Sequence, residues 1–200
     1  MHIELTEMLR CPEPHGDSFL VMSTGEMRGR MVRSGVLGCP VCHREYPIVQ
    51  GVVQFSRTPP PPPLPSPVPL PAIDPPTLQA LLGLANPGGY IVFVGSAARH
   101  APALADLMHG VHFVGVNAPR DVEELPMLSL VSCATVIPLR PAMARGVVLG
   151  AEAVAGPWPA EAARVMLPGR RFVAEREDVT GPTGITRLAV GQGVFVGERR

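Results

Sequence analysis

The run Tyr90-Ile91-Val92-Phe93-Val94-Gly95-Ser96-Ala97-Ala98-Arg99 joins five β-prone apolar residues to a glycine and a string of small side chains. Apolar residues without alternation belong to a strand covered on both faces. Outward from this run, helix and strand patterns alternate. Upstream, Pro76–Leu84 reads as a short helix, opened by proline and stopped near Asn86-Pro87-Gly88-Gly89. Downstream, Ala101–His109 is helical, Val111–Val116 is a strand and Asp121–Leu125 a helical turn. Leu130–Ile137 and Gly146–Leu149 are further strands. Pro159–Met166 is an amphipathic helix ended by Pro168-Gly169, and Arg171–Glu175 is the next strand. Ile185–Val190 and Gly193–Glu198 read as a closing hairpin. The pattern is α/β: a largely parallel sheet covered on both faces, with a C-terminal antiparallel hairpin at its edge.

Ahead of this body, eleven of the eighteen residues from Pro59 to Pro76 are proline. Proline fixes φ and removes a backbone donor, so residues 58–76 are expected to form an extended, semi-rigid linker. The linker separates a 1–57 head from a 77–200 body. In the head, Phe19–Ser23, Met27–Arg33 and Ile48–Phe55 read as short strands, with Gly16, Gly25, Gly35 and Gly38 as turns. A unit of this size is small for a self-sufficient core and often uses a metal as a staple.

Cys39-Pro40-Val41-Cys42 has the spacing that brings two thiolates onto one ion. A zinc ribbon pairs two such knuckles, but the first here is Cys11-Pro12-Glu13-Pro14, with proline in place of its second thiolate. The candidate metal ligands are therefore Cys11, Cys39 and Cys42, with His15, Asp17 or His43 as the fourth; the reach of a histidine favours His15. An empty ribbon and a redox-active cysteine pair are the alternatives.

Two resemblances follow. Leu9-Arg10-Cys11-Pro12, Gly38-Cys39-Pro40-Val41-Cys42 and Tyr46-Pro47-Ile48-Val49-Gln50-Gly51-Val52-Val53 resemble the small zinc-ribbon family that activates methyltransferases. This implies zinc and a protein partner, such as a methyltransferase or a larger assembly. The body resembles the Rossmann-like S-adenosylmethionine-dependent methyltransferases. Tyr90–Arg99 stands at that family's first strand and glycine loop, Val111–Asn117 at its second strand, and Glu161–Phe172 at the helix, turn and strand beyond the active-site edge. The resemblance implies S-adenosylmethionine as cofactor, with Gly95, Ser96, Ala97 and Asn117 as its binding residues. Departures are plain: Phe93 stands where an acid often precedes the loop, Arg99 replaces a later glycine, and Asn117 replaces the acid that grips the ribose. No catalytic residue is assigned. Glu152 is the one carboxylate following the fourth strand; Cys133 is expected in the core, His100 and His109 at solvated helix ends, and Trp158 as a packing anchor. His112 begins a strand with no evident partner.

Composition narrows the classes. All 17 basic residues are arginine and they balance 17 acids, six against six in residues 1–57 and eleven against eleven beyond. This balance disfavours strong direct nucleic-acid binding. Mean hydropathy is +0.22, yet no apolar run is long enough to span a membrane, no signal peptide is evident, and the cysteine usage fits a reducing cytoplasm. Two functions remain open: a non-catalytic methyltransferase-like interaction or assembly module with a zinc-ribbon head, and an active S-adenosylmethionine-dependent methyltransferase with a divergent pocket.

Overall fold

The computed structural model describes residues 1–56, 73–84, 86–123 and 125–200. The proline-rich linker expectation lies, for residues 57–72, outside the described residues. The head comprises β1 (Val21–Thr24), β2 (Met27–Arg28), β3 (Met31–Val32), β4 (Gly35–Gly38), β5 (Glu45–Val49) and β6 (Val52–Gln54). The body begins with α1 (Pro75–Leu82), β7 (Tyr90–Val94), a 3-10 turn (Gly95–His100) and α2 (Ala101–Leu107). It continues with β8 (His112–Val116), β9 (Leu128–Ser132), β10 (Ala144–Leu149), α3 (Trp158–Val165), β11 (Met166–Ala174), β12 (Ile185–Gly191) and β13 (Val194–Arg199).

Among the described residues, eleven strands form one sheet in the order β1-β4-β5-β6-β9-β8-β7-β10-β11-β13-β12. Counted from β7, the body runs 3-2-1-4-5-7-6. Its strands β9, β8, β7, β10 and β11 are mutually parallel, and only β13 is reversed against its neighbours β11 and β12. This is the Rossmann-like, methyltransferase-type sheet with a C-terminal antiparallel hairpin. β7 sits at its centre because Ile91, Val92, Phe93 and Val94 are all at most 1% exposed, as a strand covered on both faces requires.

The sheet does not stop at residue 57. β6 pairs in parallel with β9, Val52 opposite Leu130 and Val53 opposite Val131. The Phe55 N–H donates to the Ser132 carbonyl at 2.7 Å, and Arg10 and Arg140 exchange backbone bonds with Pro138 and Met8. One core cluster runs through this seam, from Leu5, Leu9, Leu37 and Ile48 of the head to Val114, Val131, Ile137 and Leu139 of the body. Head and body therefore share a sheet and a core.

Several local expectations are corrected. Ile48–Phe55 is a hairpin, not one strand, because Gln50 and Gly51 both take left-handed φ, 49° and 82°, the geometry of a two-residue primed turn. Gly35 and Gly38 are not turns but the ends of β4, and a Cβ on Gly35 would press on the Ser23 carbonyl of the neighbouring strand. Met27–Arg33 folds back on itself at Gly29 into β2 and β3. The described residues of Asp121–Leu125 form no helix; Asp121 is drawn instead to Arg99. Pro168-Gly169 does not lie between helix and strand. The register between β10 and β11 shifts there, and β11 passes through it as an irregularity.

Leu37 lies in β4 with 0% exposure. Leu37→Ala should cost about 2–5 kcal/mol, and because the core is shared it should lower the unfolding midpoint reported by the fluorescence of Trp158, the chain's single tryptophan, which packs on that core from the body. An unchanged Trp158 transition would mean that head and body unfold separately.

Candidate functional site

Two places on the molecule gather chemistry-bearing side chains. The first is in the head. Pairing of β1 with β4 sets two loops side by side, residues 11–18 and 39–44. Each loop is closed by its own backbone bond, Cys11 N–H to the Ser18 carbonyl at 3.1 Å and Cys39 N–H to the Arg44 carbonyl at 2.9 Å. Cys11, His15, Cys39 and Cys42 meet there, with one ligand atom each and all four within 4.8 Å of one another. Cys11 Sγ lies 3.7 Å from Cys42 Sγ and 3.2 Å from His15 Nε2, and Cys39 Sγ lies 3.5 Å from His15 Nε2. A tetrahedral zinc with bonds of about 2.3 Å to sulfur and 2.0–2.1 Å to nitrogen sets sulfurs about 3.8 Å apart and sulfur to nitrogen about 3.6 Å apart. The donor set and its spacing fit such an ion.

The surroundings are consistent with this. His15 Nδ1 lies 2.6 Å from the Gly16 carbonyl; a carbonyl only accepts, so Nδ1 carries the proton and Nε2 presents its lone pair to the sulfurs. Burial pushes the Cys39 thiol up, but the backbone N–H groups of Cys42 and Val41 and the Ser18 hydroxyl bring it down to about 6. Burial outweighs the bond from Tyr46 at Cys11, whose thiol is pushed up to about 11. Tyr46 is 4% exposed and its hydroxyl lies 3.2 Å from Cys11 Sγ. Burial, then its bond to Cys11, raise that phenol far above its ordinary value, so it remains a donor. The other two fourth-ligand candidates stand apart: Asp17 pairs with Arg10 at 3.4 Å, and His43 is exposed with a left-handed φ of 58° at the knuckle's end.

The second place is the crevice at the carboxyl ends of the parallel strands, where open α/β sheets bind ligands. Gly95 follows β7 with φ 67°, as a tight loop turn requires. Ser96 does not face an open crevice. Its N–H donates to Glu152 Oε1 at 2.5 Å and its hydroxyl to Glu152 Oε2 at 2.7 Å. A Cβ on Gly95 would collide with the same carboxylate, and one on Gly150 with the Ser96 hydroxyl. Ala97 is fully buried, as is Ala98. Asn117, at the end of β8, is left-handed with φ 51°. Its amide is taken at both ends: Nδ2 donates to the Cys133 carbonyl at 2.9 Å and Oδ1 accepts from the Cys133 N–H at 2.9 Å. The side chain thus splices β8 to the chain beyond β9.

Two more acids reach the same 3-10 turn. Arg99 donates to Asp121 at 2.8 and 3.0 Å, and its bonds hold the Asp121 carboxyl below the usual range. His100 is 2% exposed, and its Nε2 lies 2.6 Å from Glu175 Oε1. His100 is therefore not a solvated helix end but half of a buried pair. Sequence reasoning missed it because Glu175 is 75 residues away. Ser96, Arg99 and His100 are each bonded to a carboxylate, from the loops after β10, β8 and β11. A shallow cavity of about 280 Å³ lies beside them, lined by Arg99, Pro102, Asp121, Val122, Glu123 and Leu125.

Of the remaining residues, Cys133 is 6% exposed, with its thiol pushed up to about 12 mainly by burial, and Trp158 packs against the core. His112 does have ring partners, lying tilted against His2 at 4.9 Å and Tyr90 at 5.6 Å between ring centres.

No protein-family model matches the chain, and no curated protein matches it. Among solved structures it is similar to an S-adenosylmethionine-dependent methyltransferase from Aquifex aeolicus, with 18% identity, TM-score 0.47, and coverage of 65% of this chain and 90% of that one. It is similar to the antibiotic-resistance methyltransferase Kmr, with 15% identity, TM-score 0.45, and coverage of 64% and 93%. It is also similar to a structure of the Haloferax volcanii Trm112 methyltransferase activator in complex with a protein described as a methyltransferase. That match has 21% identity and TM-score 0.41, and spans 49% of this chain and half the length of that one.

Asn117 offers a sharp substitution test. Asn117→Ala should cost about 1–3 kcal/mol, the consequence of leaving the Cys133 backbone groups unpaired. Asn117→Asp should cost at least as much, because a carboxylate oxygen would face the Cys133 carbonyl. Thermal or urea unfolding of the two variants reads this; a neutral Asn117→Asp would return the residue to a ligand-facing role.

Proposed function

We propose that the chain is a non-catalytic methyltransferase-fold protein that acts as an interaction or assembly module, with a zinc-held head built onto the edge of the sheet. The observation that carries this reading is Asn117. It occupies the position at which this fold grips a cofactor's ribose, and its amide nitrogen and oxygen are each bonded to the Cys133 backbone. The residues of the crevice do not fit S-adenosylmethionine as they stand: the Ser96 donors are occupied by Glu152, and no acid stands at the end of β8.

In the head, zinc would be held by Cys11, His15, Cys39 and Cys42. A closed set of four protein ligands is a structural site, and its ion would supply folding energy rather than chemistry. The partner in this reading is another protein. The head carries Phe19 at 60%, Val21 at 56% and Val41 at 59% exposure, all adjoining the metal cluster: Phe19 bridges to Arg10, Val21 pairs with Gly38, and Val41 lies within the knuckle. Activation of a separate methyltransferase by the head in trans is less favoured, since β6 is already paired with the chain's own β9. No helix among the described residues is long and apolar enough to cross a membrane. The cytoplasmic location that belongs to this reading is supported by the free thiols of Cys11, Cys39, Cys42 and Cys133.

The second reading is an active methyltransferase. Gly95 keeps its left-handed turn, and Glu152 is exposed enough to be displaced.

Calorimetric titration of the full chain with S-adenosylhomocysteine separates the two. The non-catalytic reading expects no saturable heat up to millimolar ligand; micromolar binding at one site per chain would establish the second. Metal analysis of freshly purified protein should give about one zinc per chain, and Tyr46→Phe should weaken metal affinity about 10–100-fold by removing the hydroxyl that supports the Cys11 thiolate. Metal-free protein that keeps a fully ordered head would remove zinc from the proposal.

A further inference from the structure

The 3-10 turn Gly95–His100 carries three polar side chains, and each is held by an acid from a different rim of the crevice: Ser96 by Glu152, Arg99 by Asp121 and His100 by Glu175. The three contacts differ in burial. The His100–Glu175 pair is at 2% and 10% side-chain exposure, so it belongs to the core and fixes the turn to the end of β11. Arg99 is 15% and Asp121 61% exposed, and Arg99 Nη1 is buried without a partner. Glu152, like Asp121, is exposed; it lies on the short 3-10 segment Ala151–Val154 after β10. It is also the one whose carboxylate contacts the loop backbone, at the first N–H after Gly95.

We propose that Glu152 is an internal occupant of the glycine turn, an autoinhibitory contact that closes the crevice to a nucleoside ligand, while Glu175 and Asp121 fix the turn in the shape that receives it. A ligand approaching the loop must find its N–H and the Ser96 hydroxyl free, and both are directed at one carboxylate. The crowding is mutual: neither Gly95 nor Gly150 could carry a Cβ beside that contact, so the two loops close on each other around it. Because Glu152 is exposed, its removal leaves the core intact, and its effect is read in ligand access rather than in folding. This inference rests on the fold assignment and deepens the non-catalytic reading, but the two can fail separately.

The test compares the full-length protein with Glu152→Ala, using S-adenosylhomocysteine as the probe in calorimetry and thermal-shift assays. Glu26→Ala, an exposed acid in the head, serves as the control. Glu152→Ala should bind at least tenfold more tightly than the parent, and the amides of residues 95–98 should exchange at least tenfold faster in the ligand-free variant. Equal or weaker binding by Glu152→Ala overturns the occupant role, as does the absence of detectable binding by both proteins, which would mean that other contacts close the crevice. The non-catalytic reading is judged apart from that ratio, by the parent's own affinity: micromolar binding by the parent overturns that reading whatever Glu152→Ala does. If Glu152→Ala is too unstable to titrate, Ser96→Ala, which removes the hydroxyl half of the contact, should still speed exchange at residues 95–98; unchanged exchange there overturns the proposal.

Discussion

The three-residue parallel ladder between β6 and β9 is the contact on which the rest of the molecule depends. Without it, β9 would present an edge of unpaired N–H and C=O groups. With it, the core extends from the 3-10 segment Ile3–Glu7 through β5 to β8 and β9. The dependence runs back toward the cysteine cluster. That cluster draws together the loops flanking β1 and β4, those strands set the register of β5, and β5 presents β6 through the Gln50-Gly51 turn. A knuckle at the far end of the head thus bears on the edge of the body's sheet.

The crevice at the carboxyl ends of the strands is crossed by bonds within the chain. The strand order and the left-handed glycine after β7 shape this crevice. The polar groups that a ligand would meet are instead bonded within the chain. Such bonds are individually modest near solvent. The buried His100–Glu175 pair and the two-ended Asn117 splice are different, because unpaired buried polar groups are costly. They stiffen the loops at the carboxyl ends of β7, β8 and β11.

What the sequence disclosed followed from its local signals. Tyr90–Val94 coincides with β7 because five apolar residues bounded by glycines leave little choice of boundary. The closing hairpin was legible from Gly193, although the left-handed φ at Gln192 was not. The four cluster residues could be named from spacing because a knuckle's geometry is local and only His15 had to be chosen by reach. Long-range pairing was not legible. A three-residue strand such as β6 carries no periodicity, so nothing in Val52-Val53-Gln54 announces β9 as its neighbour. The partners of Ser96, Arg99 and His100 lie 56, 22 and 75 residues away, and a carboxylate offers no clue in sequence to which donor it will meet. Gly35 misled because glycine signals both a turn and a close approach between strands, and here the second holds; Gly38 ends β4 without such crowding.

Among the described residues, merging the head into the sheet leaves β1 and β12 as its outer strands. β12 exposes Leu188 and Val190 at 48% and 43%, which on a flat strand would invite end-on stacking of molecules. The ladder between β12 and β13 slips between Arg187 and Ala189, placing Leu188 in a bulge. A bulge bends a strand and breaks the even spacing of its outward donors and acceptors. The same slip therefore works against a regular ladder between this apolar margin and another copy.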